Sequence, residues 1–390
     1  LAPPLASGRI AIKPLQLPNF QQFQRFCMPA ISSRYRAILP AVAATISLLL
    51  ALLLAASWLA TAPYASNHVF GNIRTGELWS PNARYIDDWY AVEALDDSTF
   101  IIGEPKSSQY NVTYLLAGHA RALLIDTGSG ERPAGSRSMR EVAESLTSKP
   151  VMPMLTHFHF DHTGDLEAFD SALVLATPEL KARAEGGTLQ VRATESLTGA
   201  HKMRIQRWVA PGEKIDLGER AIEARATPGH AHESASFIDR ERRYVFTGDF
   251  LYQHLGGLVA FLPGSDVTVY ADEIGKLLQA TGDGYRYFGA HGVPEFDAAW
   301  VRRVHGAMQE LAIGAATPRL GQSYLAPGLP LRMHQREQLL IYQAPLSWGG
   351  LAALGAAVAL IALMFWRVFR ARARSGPGSA EADGMVRHRA

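Results

Sequence analysis

The 390-residue chain has room for one large domain or two ordinary ones, and its 38 basic and 36 acidic residues leave a formal net charge of only +2. Nothing in that balance supports nucleic-acid binding. The single cysteine, Cys27, excludes an intrachain disulfide and a thiolate zinc site, so any metal must be held by histidine and carboxylate.

Residues 1–36 read as an N-terminal extension. Residues 37–60, "AILPAVAATISLLLALLLAASWLA", are uncharged and reach the roughly 20 residues that a membrane helix needs. The Ala60-Thr61-Ala62 ending also suits a signal sequence, and both readings stay open. Next come "YAVEALDDSTFIIGEP" and "VTYLLAGHARALLIDTGSG", whose apolar runs and tight turns predict strands. "RPAGSRSMREVAESLTS" predicts a helix, and "KPVMPMLTHFHFDH" a short buried strand entering a loop. "LEAFDSALVLATPELKARA" predicts helix, strand and helix, and the two segments over 214–250 are hairpin-rich. "LGGLVAFLPGSD", 255–266, reads either as a buried connection or as an apolar wall that grips an acyl chain. "YADEIGKLLQA" predicts a helix, and "YRYFGAHGVP" a strand ending in a loop. Residues 311–345 read as a linker. Residues 346–366, "LSWGGLAALGAAVALIALMFW", predict a second membrane helix, and 367–390 a basic, then disordered tail.

Arg34 and Arg36 precede the first apolar run, and Arg367, Arg370, Arg372 and Arg374 follow the second. By the positive-inside rule both outer ends are cytoplasmic, which places the middle of the chain on the extracytoplasmic side of a cell inner membrane. Strands, a helix-strand-helix block and further strands predict an α/β domain over 85–310 with two layered sheets.

"THFHFDHTGD" packs His157, His159, Asp161 and His162 into six positions. His230 in "TPGHAH", Asp249 in "TGDF" and His291 in "GAHG" also follow strand-like segments, and such sets gather first-row metals where cysteine is absent. Alternation along an extended segment puts His157 and His159 on one side and Phe158 and Phe160 on the packed side. Tyr252 reads either as a hydrogen-bond donor to substrate or as a packed tyrosine, and His254 as a residue lining a pocket. His119, His201, His232, His305 and His334 read as surface or satisfied histidines.

His-x-His-x-Asp-His, Pro-Gly-His, Thr-Gly-Asp and Gly-x-His-Gly, in that order over about 85–305, resemble the metallo-β-lactamase superfamily. The resemblance implies an αββα sandwich, here flanked by the two apolar spans. It implies one metal on His157, His159 and His230, a second on Asp161, His162 and His291, and Asp249 bridging them. Asp126 in "LLIDTG" resembles a buried residue behind the ligands. Two zinc ions are the default, with iron or manganese compatible. The bridging aspartate is similar to the glyoxalase II, lactonase and thioesterase-like branches rather than to true β-lactamases. The implied reaction is attack on a carboxylic ester, thioester or lactone by a solvent oxygen activated between the metals, with Asp161 and Asp249 in catalytic roles. The expected substrate is a small amphiphilic acyl compound. A β-lactamase, or a non-catalytic metal-stabilised sensor or binding module, are the alternatives, and the oligomeric state is open.

Overall fold

Two kinds of strand follow from the apolar pattern in the computed structural model, which describes residues 46–47, 76–197, 201–253, 257–321, 331–336, 339–343 and 363. Short unbroken runs such as "ALLI" at 122–125 and "ALVL" at 172–175 are buried on both faces, whereas "AIEARA" at 221–226 alternates. The first sheet holds β1 (Arg84–Tyr85), β2 (Ala91–Asp96), β3 (Thr99–Glu104), β4 (Asn111–Ala117), β5 (Ala122–Ile125), β6 (Val151–Met154), β7 (Ala172–Leu175), β8 (Ala184–Glu185), β9 (Thr188–Val191) and β10 (His201–Val209). Their order is β1-β2-β3-β4-β5-β6-β7-β10-β9-β8, antiparallel up to β5 and parallel from β5 through β6 and β7 to β10. The second sheet holds β11 (Lys214–Asp216), β12 (Ala221–Ala226), β13 (Ala235–Asp239), β14 (Tyr244–Gly248) and, beyond β15 (Leu258–Ala260), β16 (Arg286–Gly289) and β17 (Glu295–Asp297).

The period of two sorts these side chains into layers. Tyr114, Leu123 and Ile125 of the first sheet meet Phe237, Phe246 and Phe288 of the second in one core. Their neighbours Leu115 and Leu124 point outward onto Met139, Val142 and Ala143 of helix α1 (Met139–Leu146). Val245 and Tyr287 point outward onto the helices Val267–Thr281 and Ala298–Ala312. Helix, sheet, sheet and helix layers result.

Helix α1 starts later than its sequence suggests, because Ser138 and Glu141 form a reciprocal capping box that sets the boundary. The helix expected at "LEAFD" shrinks to a single 3-10 turn, Leu166–Ala168.

Residues 311–345 are not a linker. They carry β18 (Arg319–Gly321), β19 (Leu331–Arg336) and β20 (Leu339–Gln343), which form a third sheet in the order β15-β20-β19-β18. Leu331 and Met333 alternate inward beside Val259 and Phe261, and Ile341 joins the helix-side core. The chain therefore returns to support the segment that follows Asp249.

The chain divides into two compact units, Leu1–Leu53 with Leu354–Ala390, and Leu54–Ala353, and the fold above is that of the second. Both apolar spans lie outside the described residues except for Ile46, Ser47 and Leu363, which are helical and exposed. Among the described residues no helix is long and apolar enough to cross a membrane.

Arg220 ties the two sheets together. It is 2% exposed and donates to Asp239 Oδ2 of the second sheet at 2.8 Å. It also donates to Ser98 O at 2.8 Å, Ala117 O at 3.0 Å and Thr99 Oγ1 at 2.8 Å on the first sheet's side. Arg220→Ala would leave the 1%-exposed Asp239 carboxylate to Arg242 alone and remove a donor from three further acceptors. We expect a loss of about 3–5 kcal/mol, seen as a fall in melting temperature of about 10 °C. A fall of about 2 °C or less in a thermal melt would show that the pair adds little.

Candidate metal centre

The strand ends deliver the polar residues to one edge of the paired sheets. β6 runs into an extended segment in which Thr156, His157, Phe158 and His159 are all buried, and helix α2 (Phe160–Thr163) starts directly after it. The alternation that pairs Phe158 with Phe160 stops there. Phe158 packs among Leu155, Val174 and Leu180, as expected. Phe160 does not: it is only half-buried, because the first helical turn swings it towards the site and brings Asp161 and His162 inward.

His230 comes from the loop after β12, Asp249 from the residue after β14, and His291 from the loop after β16. Gly248 makes the Asp249 turn possible. Its φ is +53°, and a Cβ there would collide with the Thr156 side chain.

The structure brings all seven residues together in two buried groups that share a carboxylate: His157, His159, His230 and Asp249, then Asp161, His162, Asp249 and His291. His159 Nδ1 lies 2.8 Å from His157 Nε2 and 3.1 Å from His230 Nε2. In the other group, Asp249 Oδ1 lies 2.9 Å from His291 Nε2 and 3.2 Å from His162 Nε2. Asp161 Oδ2 lies 3.4 and 3.5 Å from the same two nitrogens.

Hydrogen bonds behind the rings decide which way the lone pairs point. His230 Nδ1 faces Val259 O at 3.1 Å, His291 Nδ1 faces Gln109 O at 3.0 Å, and His162 Nδ1 faces Asp126 Oδ2 at 2.8 Å. Those partners only accept, so each Nδ1 carries a proton, and in the neutral ring each Nε2 turns a lone pair inward. Thr156 Oγ1 donates to Asp126 Oδ2 at 2.9 Å and so accepts from His157 Nδ1 at 3.1 Å, which gives His157 the same tautomer. His159 is the exception and faces its group through Nδ1, its buried Nε2 having no hydrogen-bond partner among the described residues. With all five rings neutral, acceptors crowd acceptors, an arrangement that divalent cations between them satisfy. The residues fit bound divalent metal.

Burial pushes His157, His159 and His230 down, towards the neutral form that ligates. Burial also acts to lower His162 and His291, but the neighbouring Asp161 and Asp249 carboxylates outweigh it and hold both up. Burial alone would raise Asp249, yet His291 and His162 hold it well below the usual carboxylate range.

Asp126 sits behind the ligands at the end of β5, with φ +66°, accepting from Thr156 N at 2.6 Å as well as from Thr156 Oγ1 and His162. Tyr252 packs edge-on against His291, and its hydroxyl joins the backbone at Gly257 O and Val259 N, each at 3.1 Å. It therefore braces the β15 segment, and it also faces the cavity over the ligand groups. His254 lies outside the described residues. His232 and His119 are exposed.

Sequence reading missed Asn111. Its Nδ2 donates to Asp161 O at 2.9 Å and Oδ2 at 3.3 Å, fixing that carboxylate. A lone asparagine at a strand start carries no local signal for this. Above the groups lies a cavity of about 160 Å³ whose apolar lining is Phe160, Leu197, Val259, Phe261 and Leu262.

The family profile described as the metallo-beta-lactamase superfamily matches residues 109–283. An acyl-coenzyme A thioesterase of Homo sapiens, MBLAC2, is 30% identical over 218 residues, covering 49% of this chain and 76% of that protein. The chain belongs to the metallo-beta-lactamase superfamily. It is a metal-dependent hydrolase of that superfamily, with thioesterase-like relatives. An atrochrysone carboxyl ACP thioesterase of Aspergillus fumigatus is 28% identical over 176 residues, covering 44% of this chain and 51% of that protein. A solved metallo-beta-lactamase from Pontibacter korlensis, 18% identical, gives a TM-score of 0.44 and covers 56% of this chain and 99% of that one.

Proposed function

We propose that this superfamily member is a membrane-anchored, dinuclear hydrolase of acyl thioesters or esters. The observation that carries the reading is the cavity itself: its floor is the two ligand groups and its walls are Phe160, Leu197, Val259, Phe261 and Leu262. His157, His159 and His230 would hold one ion, Asp161, His162 and His291 the other, and Asp249 both. Zinc suits the set, as do iron and manganese. Two bound divalent ions supply Lewis acidity at a carbonyl oxygen and make water acidic enough to attack near neutral pH.

The chain's own residues supply the rest. The apolar walls take the acyl chain and exclude water, so that the carbonyl carbon lies over the floor. Asp161, held by Asn111 and bordering the cavity, is the acceptor placed to orient the attacking water. A panel of acyl thioesters, acyl esters, lactones and nitrocefin tests the reading on metal-loaded protein. Thioesters or esters are expected to be turned over fastest, and loss of turnover with a chelator should be reversed by added metal. Nitrocefin turnover above every ester would transfer the function to β-lactam hydrolysis.

The membrane part of the reading rests on the two uncharged spans and on the arginines outside them. It places the hydrolase domain on the extracytoplasmic side. Alkaline phosphatase fused at Gly130 should be active and at the C-terminus silent. The opposite pattern would reverse the orientation.

A further inference from the structure

A second depression, a groove of about 680 Å³, shares Phe160 with the metal cavity as a common wall. Two glycines form part of its lining. Gly130 and Gly164 touch backbone to backbone there, with no room for a Cβ on Gly164. Along one side runs the start of β10, where Lys202 and Arg204 lie two residues apart on the exposed face while Met203 between them is buried. Strand geometry spaces their Cα atoms about 6.6 Å apart and points both side chains the same way. Among the described residues, neither has an ion-pair partner. On the other side lie Phe169, Glu167 and Asp170. Asp170 lies 3.6 Å from Arg140, which also pairs with Glu144 at 2.9 Å, so the cations of β10 line one side of the groove and the carboxylates, with the Phe169 ring, the other.

We propose that this groove holds the phosphate-bearing leaving group of the substrate, with Lys202 and Arg204 binding its anionic oxygens. The inference rests on the acyl-hydrolase reading and adds the chemistry of the other half of the substrate. An acyl chain in the metal cavity leaves its carbonyl over the floor, and the leaving group must exit past a wall of that cavity. Phe160 is the wall beyond which cations wait. Lysine and arginine on one strand face suit a phosphate ester or diphosphate, with arginine offering paired donors to two phosphate oxygens. The shared chemistry, an acyl group joined to a phosphorylated carrier, occurs in coenzyme A thioesters and in lysophospholipids.

The test uses the full metal-loaded chain and the Lys202→Ala/Arg204→Ala double variant. Octanoyl-CoA and an octanoyl lysophosphatidate are each compared with octanoyl-N-acetylcysteamine, a thioester without phosphate. The ratio of kcat/KM for a phosphorylated substrate to that for the neutral one should fall about 100-fold in the double variant, mainly through KM. That is about tenfold for each cationic side chain that no longer donates to the phosphate. Which phosphorylated substrate shows the fall identifies the carrier. An unchanged ratio for both overturns the proposal and leaves acyl hydrolysis standing. Calorimetric binding of CoA and of lysophosphatidate is measured alongside. If the wild type hydrolyses no acyl compound, the acyl-hydrolase reading fails, and binding then decides the groove. Binding that disappears in the double variant supports it, and equal or absent binding overturns it.

Discussion

Asp249→Ala should lower kcat/KM by well over 100-fold and reduce the metal bound per chain from about two to one or fewer. Its two oxygens face different groups, Oδ1 towards His162 and His291, Oδ2 towards His230 at 3.6 Å. One substitution therefore removes a candidate ligand from each group and also the negative charge the two groups share. Mutating the residues that merely orient ligands typically costs 10–100-fold in affinity or activity, so a shared ligand should exceed that range. Elemental analysis of protein purified without chelator, paired with kinetics, makes the measurement. A stoichiometry of one in the wild type, unchanged in the variant, would rule out the bridged pair.

The seven residues could be read from sequence because each stands in a short local pattern, four of them within six positions. The rest of the site is long-range. Thr156 stands in no pattern of its own, yet it sets the His157 tautomer by donating its hydroxyl proton to Asp126, thirty positions away. Phe160 was misread because a period of two was carried one residue too far, into the first turn of a helix that serves to bring Asp161 and His162 inward.

The third sheet was missed for a related reason. β20 pairs in parallel with β15, Leu258 opposite Ile341, and nothing local in "LLIYQ" announces a partner so distant in the chain. The consequence reaches the site, since Val259 and Phe261, which line the metal cavity, pack against Leu331 and Met333. A segment read as a linker thus backs the apolar wall of the cavity.

That backing bears on the second large effect, dependence on acyl length. Each methylene moved from water onto Phe160, Leu197, Val259, Phe261 and Leu262 could contribute up to about 0.8 kcal/mol. If the wall holds the chain in the transition state, kcat/KM should climb about fourfold per carbon, close to a thousandfold over the first five added carbons. A cavity of about 160 Å³ is finite, so the rise must then level off as further carbons reach solvent. Phe261→Ala should shift that curve as well as lower it, because the wall loses apolar area where Leu331 and Met333 support it. A series of straight-chain acyl thioesters of increasing length, assayed below their critical micelle concentrations, gives both slopes. A flat profile in the wild type would remove the acyl-binding role of the wall while leaving the metal centre intact. A profile that rises equally in wild type and Phe261→Ala would place the acyl chain elsewhere in the cavity.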